Sequence, residues 1–221
     1  MATLYVVATP IGNLKDITLR AVEVLQSVQT VFAEDTRVTR KLLSHLGIQK
    51  NIVAYHEHST PKQVEKVVEL LRAGDAALVT DAGTPAISDP GSRLIAALSD
   101  ADVTIVPIPG PSALSTILSV SDIDVSEFLF LGFPPHKKGR QTFFKRVAAS
   151  DVPVVLFESP HRIHKTFAEL AGACGPQRKC VVGRELTKLY EDIFRGTVED
   201  AALYFVGEKT RGEFVMIVEG S

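Results

Sequence analysis

The sequence predicts an α/β protein of two domains: an N-terminal, mostly parallel five-stranded sheet with flanking helices, and a C-terminal mixed α/β sheet. Three observations predict it. Over the first half, apolar strand-like runs and helix-period stripes alternate five times with short connections, the pattern of crossover units on a parallel sheet. A polar stretch, Ser121–Glu127, then breaks the alternation. Beyond it, neighbouring strand-like runs lack a helix between them, so that sheet should be mixed. The expected division is 1–120, a linker at 121–127, and 128–221.

Each element has a local reason. Leu4–Ala8 is an apolar opening strand, followed by the turn Thr9-Pro-Ile-Gly-Asn13. Asp16 is expected to cap a helix with the stripe Ile17, Ala21, Val24, Leu25 and Val28. Thr30–Ala33 is a strand ending in Glu34-Asp35, and Leu42, Leu43 and Leu46 mark a helix closed by Gly47. Asn51–Tyr55 is a strand followed by His56-Glu-His58. Thr60, Pro61 and Gln63 make a capping box for a helix with Val64, Val67, Val68 and Leu71 on one face and Gly74 at its end. Ala76–Thr80 is the fourth strand, and Leu94, Ile95 and Leu98 follow at helical spacing. Val103–Pro107 is the fifth strand, leading through a Pro/Gly turn to Leu114, Ile117 and Leu118.

In the second domain, Phe128–Leu131 is a strand and Gly132–Arg140 a basic loop. Phe143, Phe144 and Val147 lie on a helix. Val154–Phe157 is a strand ending in Glu158-Ser-Pro-His-Arg162, followed by the helical face Ile163, Phe167, Leu170 and Cys174. Cys180–Val182 and Tyr190–Arg195 read as strands joined by a turn. Thr197 caps a short helix, and Glu213–Glu219 closes the chain.

Composition narrows the function classes. The chain has 221 residues, 45% of them hydrophobic, which suffices for a substantial core. It has no apolar run long enough to span a membrane, and its first residues lack the basic region of a signal peptide, so a cytoplasmic location is expected. A formal net charge of −2 argues against a globally basic nucleic-acid binder while leaving room for a local patch. Cys174 and Cys180 make no disulfide framework and too few ligands for a zinc site. No metal is expected; His56 and His58 have no third ligand nearby.

Three turns carry the chemistry: 9–13, 81–91 and 108–113. All follow strands of the first domain, so in a parallel sheet all open on the edge where ligands bind. Their Gly and Pro residues let backbone groups touch a small molecule. The first is neither a dinucleotide fingerprint nor a P-loop, since Ala8 and Pro10 stand where glycines are needed and no Gly-Lys-Ser/Thr follows. Glu34-Asp35-Thr-Arg37 lies at the same edge, either as a helix cap with an ion pair or as a positioning and proton-abstracting group. The run His136-Lys-Lys-Gly-Arg140, with Lys145, Arg146, His161, Arg162 and Lys165, is either a solvated face or a phosphate-facing patch.

Six motifs, in order, carry a resemblance over essentially the whole chain: Thr9–Ile17, Ala33–Arg37, Asp81–Gly91, Pro107–Ala113, Glu158–Arg162 and Arg184–Lys188. Together they resemble the ribosomal RNA small-subunit methyltransferase I family of the tetrapyrrole-methylase-like superfamily. The resemblance implies the two-domain tetrapyrrole-methylase-like fold, with S-adenosylmethionine as methyl donor in the cleft between the domains, and a homodimer. It implies methylation of the ribose 2′-oxygen of a cytidine in the decoding region of 16S rRNA, on the 30S subunit. By that likeness the donor touches Pro10, Ile11, Gly12, Asp81, Gly83 and Thr84, together with Ile87, Ser112, Ala113, Phe157 and Glu158. A ribose hydroxyl calls for a general base. Glu34, Asp35, Asp89 and Glu158 are candidates, with His161 behind them and the 34–35 pair preferred. Arg37, Lys137, Lys138, Arg140, His161 and Arg162 would hold RNA phosphates. The common longer form of the family carries a further C-terminal segment, whereas this chain stops at Gly220-Ser221. The rival readings are a methylase of the same fold acting on a small molecule such as a tetrapyrrole, and a non-catalytic S-adenosylmethionine- or RNA-binding factor.

Overall fold

The computed structural model describes residues 2–55, 61–87, 91–98 and 103–221, and among helices the side chains from residue 65 onward in the third. The chain forms two compact units, Met1–Ser112 and Ala113–Ser221.

The first unit is built on strands β1 (Ala2–Val7), β2 (Thr30–Ala33), β3 (Asn51–Ala54), β4 (Ala76–Val79) and β5 (Val103–Ile108). They form one sheet in the order β3-β2-β4-β1-β5, with every pairing parallel. Side-chain alternation sends each strand's apolar residues to two separate cores. On one face Val7, Val31, Ala33, Ala77 and Val79 pack with helices α1 (Leu19–Ser27) and α2 (Thr36–His45). On the other, Leu4, Phe32, Ala76 and Leu78 pack with α3 (Pro61–Ala73) and α4 (Gly91–Leu98). Burial on both faces is why β2 and β4 read as unbroken apolar runs.

One cap differs from expectation. Asp16 lies in a 3₁₀ turn, Leu14–Asp16, and Thr18 caps α1, accepting from the Ala21 amide at 3.1 Å. A cap must be extended immediately before the first helical residue, and Thr18 is. The capping box at Thr60 and Gln63 lies outside the described residues, as do His56, Glu57 and His58.

The second unit holds α5 (Ala113–Leu118), β6 (Leu129–Gly132), α6 (Arg140–Ala148), β7 (Val154–Glu158), α7 (Ile163–Cys174), β8 (Lys179–Arg184), β9 (Asp192–Thr197), α8 (Val198–Tyr204) and β10 (Phe214–Val218). Its sheet runs β6-β7-β10-β8-β9; β6 and β7 pair parallel and the rest antiparallel, a mixed sheet as expected. Phe144, Ile163, Phe167, Leu170, Val198 and Phe205 cover one face. Helix α5, counted with the first domain by the expected boundary at 120, packs instead on β10 and β8 of this unit. Its Ile117 is fully buried where Gly183 leaves room: a Cβ there would stand 2.9 Å from Ile117 Cδ1. Thr197 caps α8 in a complete capping box with Asp200. Burial pushes the Cys180 thiol up to about 12 and also raises that of Cys174, so both are inert at neutral pH. No helix among the described residues is long and apolar enough to cross a membrane.

Candidate active site

Strand order brings the special turns together. β1 lies between β4 and β5, so the turns that follow these three strands are neighbours at their carboxyl ends. Two backbone hydrogen bonds, Thr9 N to Gly83 O at 2.9 Å and Gly83 N to Thr9 O at 3.0 Å, join the first turn to the second. The buried Thr9 hydroxyl donates to Thr80 O at 3.1 Å. Thr84 Oγ1 donates to Pro111 O at 3.2 Å, which joins the second turn to the third. Two glycines permit this proximity. Gly83 has φ +83°, and a Cβ there would meet Ile11 Cγ2 at 3.4 Å; at Gly110 a Cβ would stand 3.0 Å from that of Ala8. Gly83→Ala is therefore expected to cost about 1–2 kcal/mol, because an L side chain is forced into the left-handed region. Urea unfolding of the two proteins measures it.

Of the residues expected to touch the donor, Pro10, Ile11, Gly12, Asp81, Gly83, Thr84, Ile87 and Ser112 belong to this first unit. Gly12, Asp81 and Ile87 are exposed. Ala113 opens α5, and Phe157 sits in β7 of the second unit. Phe157 meets Phe130 at 5.1 Å and the half-exposed Phe133 at 5.5 Å, both edge-to-face.

The acidic pair divides its work. Glu34 accepts a hydrogen bond from Thr80 Oγ1 at 2.8 Å, and the Asp35 amide donates to Asp81 Oδ1 at 2.9 Å, so the pair stands at the ends of both β2 and β4. Asp35 is the N-cap of α2: its Oδ1 accepts from the Arg37 amide at 2.8 Å and from Arg37 Nε at 3.0 Å. The Arg37 side-chain hydrogen bond, with that from its amide, holds the Asp35 carboxyl at about 2. A carboxylate that acidic is a weak proton acceptor at neutral pH. The cap-and-ion-pair reading thus describes Asp35, and Glu34 is left as the acid of the pair without a capping role. Because the folded value lies below the ordinary 3.8, the cap's contribution is complete above about pH 4 and is lost as pH falls toward 2. Arg37→Ala should raise the Asp35 midpoint toward 3.8, as read by carboxyl-carbon NMR titration. Asp89 lies outside the described residues.

In the second unit Glu158 ends β7 at 1% exposure and is surrounded by donors. Oε1 accepts from Arg162 Nη2 at 2.8 Å and from the Ser159 amide at 2.7 Å; Oε2 accepts from Thr166 Oγ1 at 2.6 Å. Arg140, 3% exposed, reaches Glu169 at 2.7 Å, Thr166 Oγ1 at 2.7 Å and Pro135 O at 3.2 Å. Arg162 donates to Pro134 O at 2.7 Å. These groups satisfy one another, which corrects three expectations. Glu158 is enclosed by its own fold's donors and is poorly placed to take a substrate proton. Arg140 and Arg162 turn inward to hold the 134–135 backbone instead of facing phosphates. Lys137, Lys138 and His161 are exposed. Sequence reading missed Thr80, Thr166 and Glu169, whose partners lie 8 to 46 residues away in the chain; only the Glu158–Arg162 spacing of four was a visible signal.

The 184–188 motif is likewise a brace. Glu185 Oε1 accepts from Lys188 Nζ at 2.8 Å and from the Glu213 amide at 2.9 Å, and Arg184 Nε donates to Arg211 O at 2.6 Å. Glu185 and Thr187 adopt positive φ, of 51° and 66°. No group of His, Cys, Asp and Glu among the described residues is arranged to hold a metal ion.

Comparison with known proteins gives concordant results. The family model described as tetrapyrrole (corrin/porphyrin) methylases matches residues 3–202. A ribosomal RNA small subunit methyltransferase I from Synechocystis sp. is 43% identical over 223 residues, covering 100% of this chain and 80% of that protein. The protein of the same name from Neisseria meningitidis serogroup B is 46% identical over 220 residues, covering 98% of this chain and 75% of the other. Among solved structures, a diphthine synthase superposes with TM-score 0.77 at 16% identity, covering 99% of this chain and 90% of that one. Uroporphyrin-III-C-methyltransferase from Thermus thermophilus gives 0.70 at 18%, covering 99% and 94%. At such identities these two structures show the fold alone.

Proposed function

From the premise that the chain belongs to the tetrapyrrole methylase family, and within it to the ribosomal RNA small subunit methyltransferase I proteins, we propose that it methylates the ribose 2′-oxygen of a cytidine in the decoding region of 16S rRNA. It is an S-adenosylmethionine-dependent methyltransferase. The observation that carries the reading is the convergence of the 9–12, 81–84 and 108–112 turns at one sheet edge, beside two carboxylates. Gly83, at positive φ, keeps the loop backbone clear of side-chain bulk, and Ile11 lies against it. Such an edge suits a ligand with a flat aromatic base and hydroxyls: backbone groups and the exposed Asp81 bind the polar parts, and Ile11 and the exposed Ile87 pack on the apolar part. Ser112 completes the proposed donor contacts within this unit.

Bound S-adenosylmethionine supplies an electrophilic methyl group on a sulfonium centre. The protein's share is alignment, which accounts for much of the rate in displacement reactions, and removal of the hydroxyl proton as the new bond forms. We assign the proton to Glu34, with Thr80 orienting its carboxylate at 2.8 Å. Arg37, Lys137, Lys138 and His161 are the exposed donors that meet the RNA backbone. The enzyme works in the cytoplasm, on the 30S subunit, as a homodimer.

Tritium transfer from labelled S-adenosylmethionine tests this. Label should enter 30S subunits from cells lacking the enzyme, in a 2′-O-methylcytidine of the small-subunit rRNA. Label entering a porphyrinogen instead, or binding without turnover, would refute it. Light scattering on the purified protein gives the oligomeric state.

A further inference from the structure

His136, Lys137 and residues 139–142, with Lys165 and Glu169 of α7, line a cavity of about 340 Å³ on the second unit. Its inner wall carries a buried, paired charge. Arg140 lines it while 3% exposed, held by Glu169 at 2.7 Å and lying over the Phe144 ring at 5.1 Å. Once that pair cancels, two exposed ammonium groups remain, Lys137 from the loop and Lys165 from a different helix, with the exposed His136 beside them. The floor adds a third source of positive potential. Helix α6 begins here, and its N-cap, Gly139, has no side chain to accept from the first-turn amides; Gln141 and Thr142 of that turn line the cavity. A solvated charge run needs no concave wall, no buried guanidinium and no second helix. This arrangement has all three.

We propose that the cavity is a phosphate subsite, built from the second unit alone, that takes one phosphodiester group of the RNA substrate. The proposal rests on the reading of the chain as an RNA-modifying enzyme and deepens it. Lysines are point charges without the fixed fork that reads a base edge, so the subsite sets the register of the RNA and not its sequence. Arg140 and the Glu158 cluster act at one remove: they hold the Pro134 and Pro135 carbonyls, and so the curvature of the loop that carries Lys137.

The test uses the full chain without S-adenosylmethionine and a fluorescent, short single-stranded RNA followed by anisotropy through a salt series. The Lys137→Ala/Lys165→Ala double variant should bind about tenfold more weakly, and its dependence of log K on log salt should flatten by about 0.7, one phosphate's worth for a single strand. A scrambled RNA should show the same loss. Lys179→Ala, which removes an exposed lysine from β8, should change affinity less than about twofold. Inorganic phosphate should move the Gln141 and Thr142 amide resonances of the parent protein and not of the double variant. Equal losses for the control and the double variant, or amides unmoved by phosphate, overturn the proposal. RNA affinity is read without the methyl donor. A protein that failed to methylate rRNA yet kept this lysine dependence would therefore refute the methyltransferase reading and leave the subsite standing.

Discussion

Glu34→Gln should slow single-turnover methyl transfer by about 100- to 10,000-fold, the usual contribution of a positioned general base. S-adenosylmethionine affinity should stay within about threefold. The substitution keeps an oxygen that can accept the Thr80 hydroxyl, now at 2.8 Å, so the link between the ends of β2 and β4 survives and only proton acceptance is removed. Two further results separate a base from a prop. Thr80→Val should lower the rate far less, since it only frees the carboxylate to rotate. Asp35→Asn should act on α2 stability before it acts on rate, because Asp35 already caps the helix and pairs with Arg37. Undiminished turnover in Glu34→Gln would remove this residue from the chemistry.

How much of this was legible in the sequence depends on how local each determinant is. β2 and β4 were readable because a parallel strand buried on both faces must be apolar throughout, and Val31, Phe32, Ala33, Ala77 and Val79 are. The Thr197 cap was readable because its partner, Asp200, lies three residues on. The three turns were readable as special, yet their convergence depends on β1 being inserted between β4 and β5, which no window of sequence contains. Arg140 shows the opposite case. In a run with His136, Lys137 and Lys138 it looks like one more surface residue, but its acceptors, Thr166 and Glu169, come from α7. Burial of a charge is decided by distant partners, so composition misassigns it. Asp16 is a smaller instance: the residue type suited a cap, and the backbone placed the helix start two residues later.

Glu158→Ala should destabilise the second unit by about 3–5 kcal/mol, the cost of removing one partner from a buried charged cluster. The cost arises in what is left behind. Arg162 loses its carboxylate at 2.8 Å, Thr166 loses the acceptor of its hydroxyl at 2.6 Å, and the Ser159 amide loses a bond at 2.7 Å. Arg140 keeps Glu169, so the two arginines should not fail equally. Thr166→Val, which removes the hydroxyl shared by Arg140 and Glu158, should cost about 1–3 kcal/mol. The pair should be non-additive in a double-mutant cycle, since both substitutions break the same bond. Lys138→Ala, on the same loop but exposed, should stay within about 0.5 kcal/mol. Urea unfolding followed by a probe in the second unit provides all four values. A Glu158→Ala cost below about 1 kcal/mol would mean that the cluster is replaceable by water and does not hold the loop. If the cost is as large as expected, the same variant should also weaken RNA binding, although Glu158 touches no RNA. The Pro134 and Pro135 carbonyls are fastened by Arg162 and Arg140, and a loop released from them carries Lys137 away from Lys165. A deeply buried carboxylate would then govern a surface cation pair through two arginines, so its mutation would resemble a substrate-binding defect.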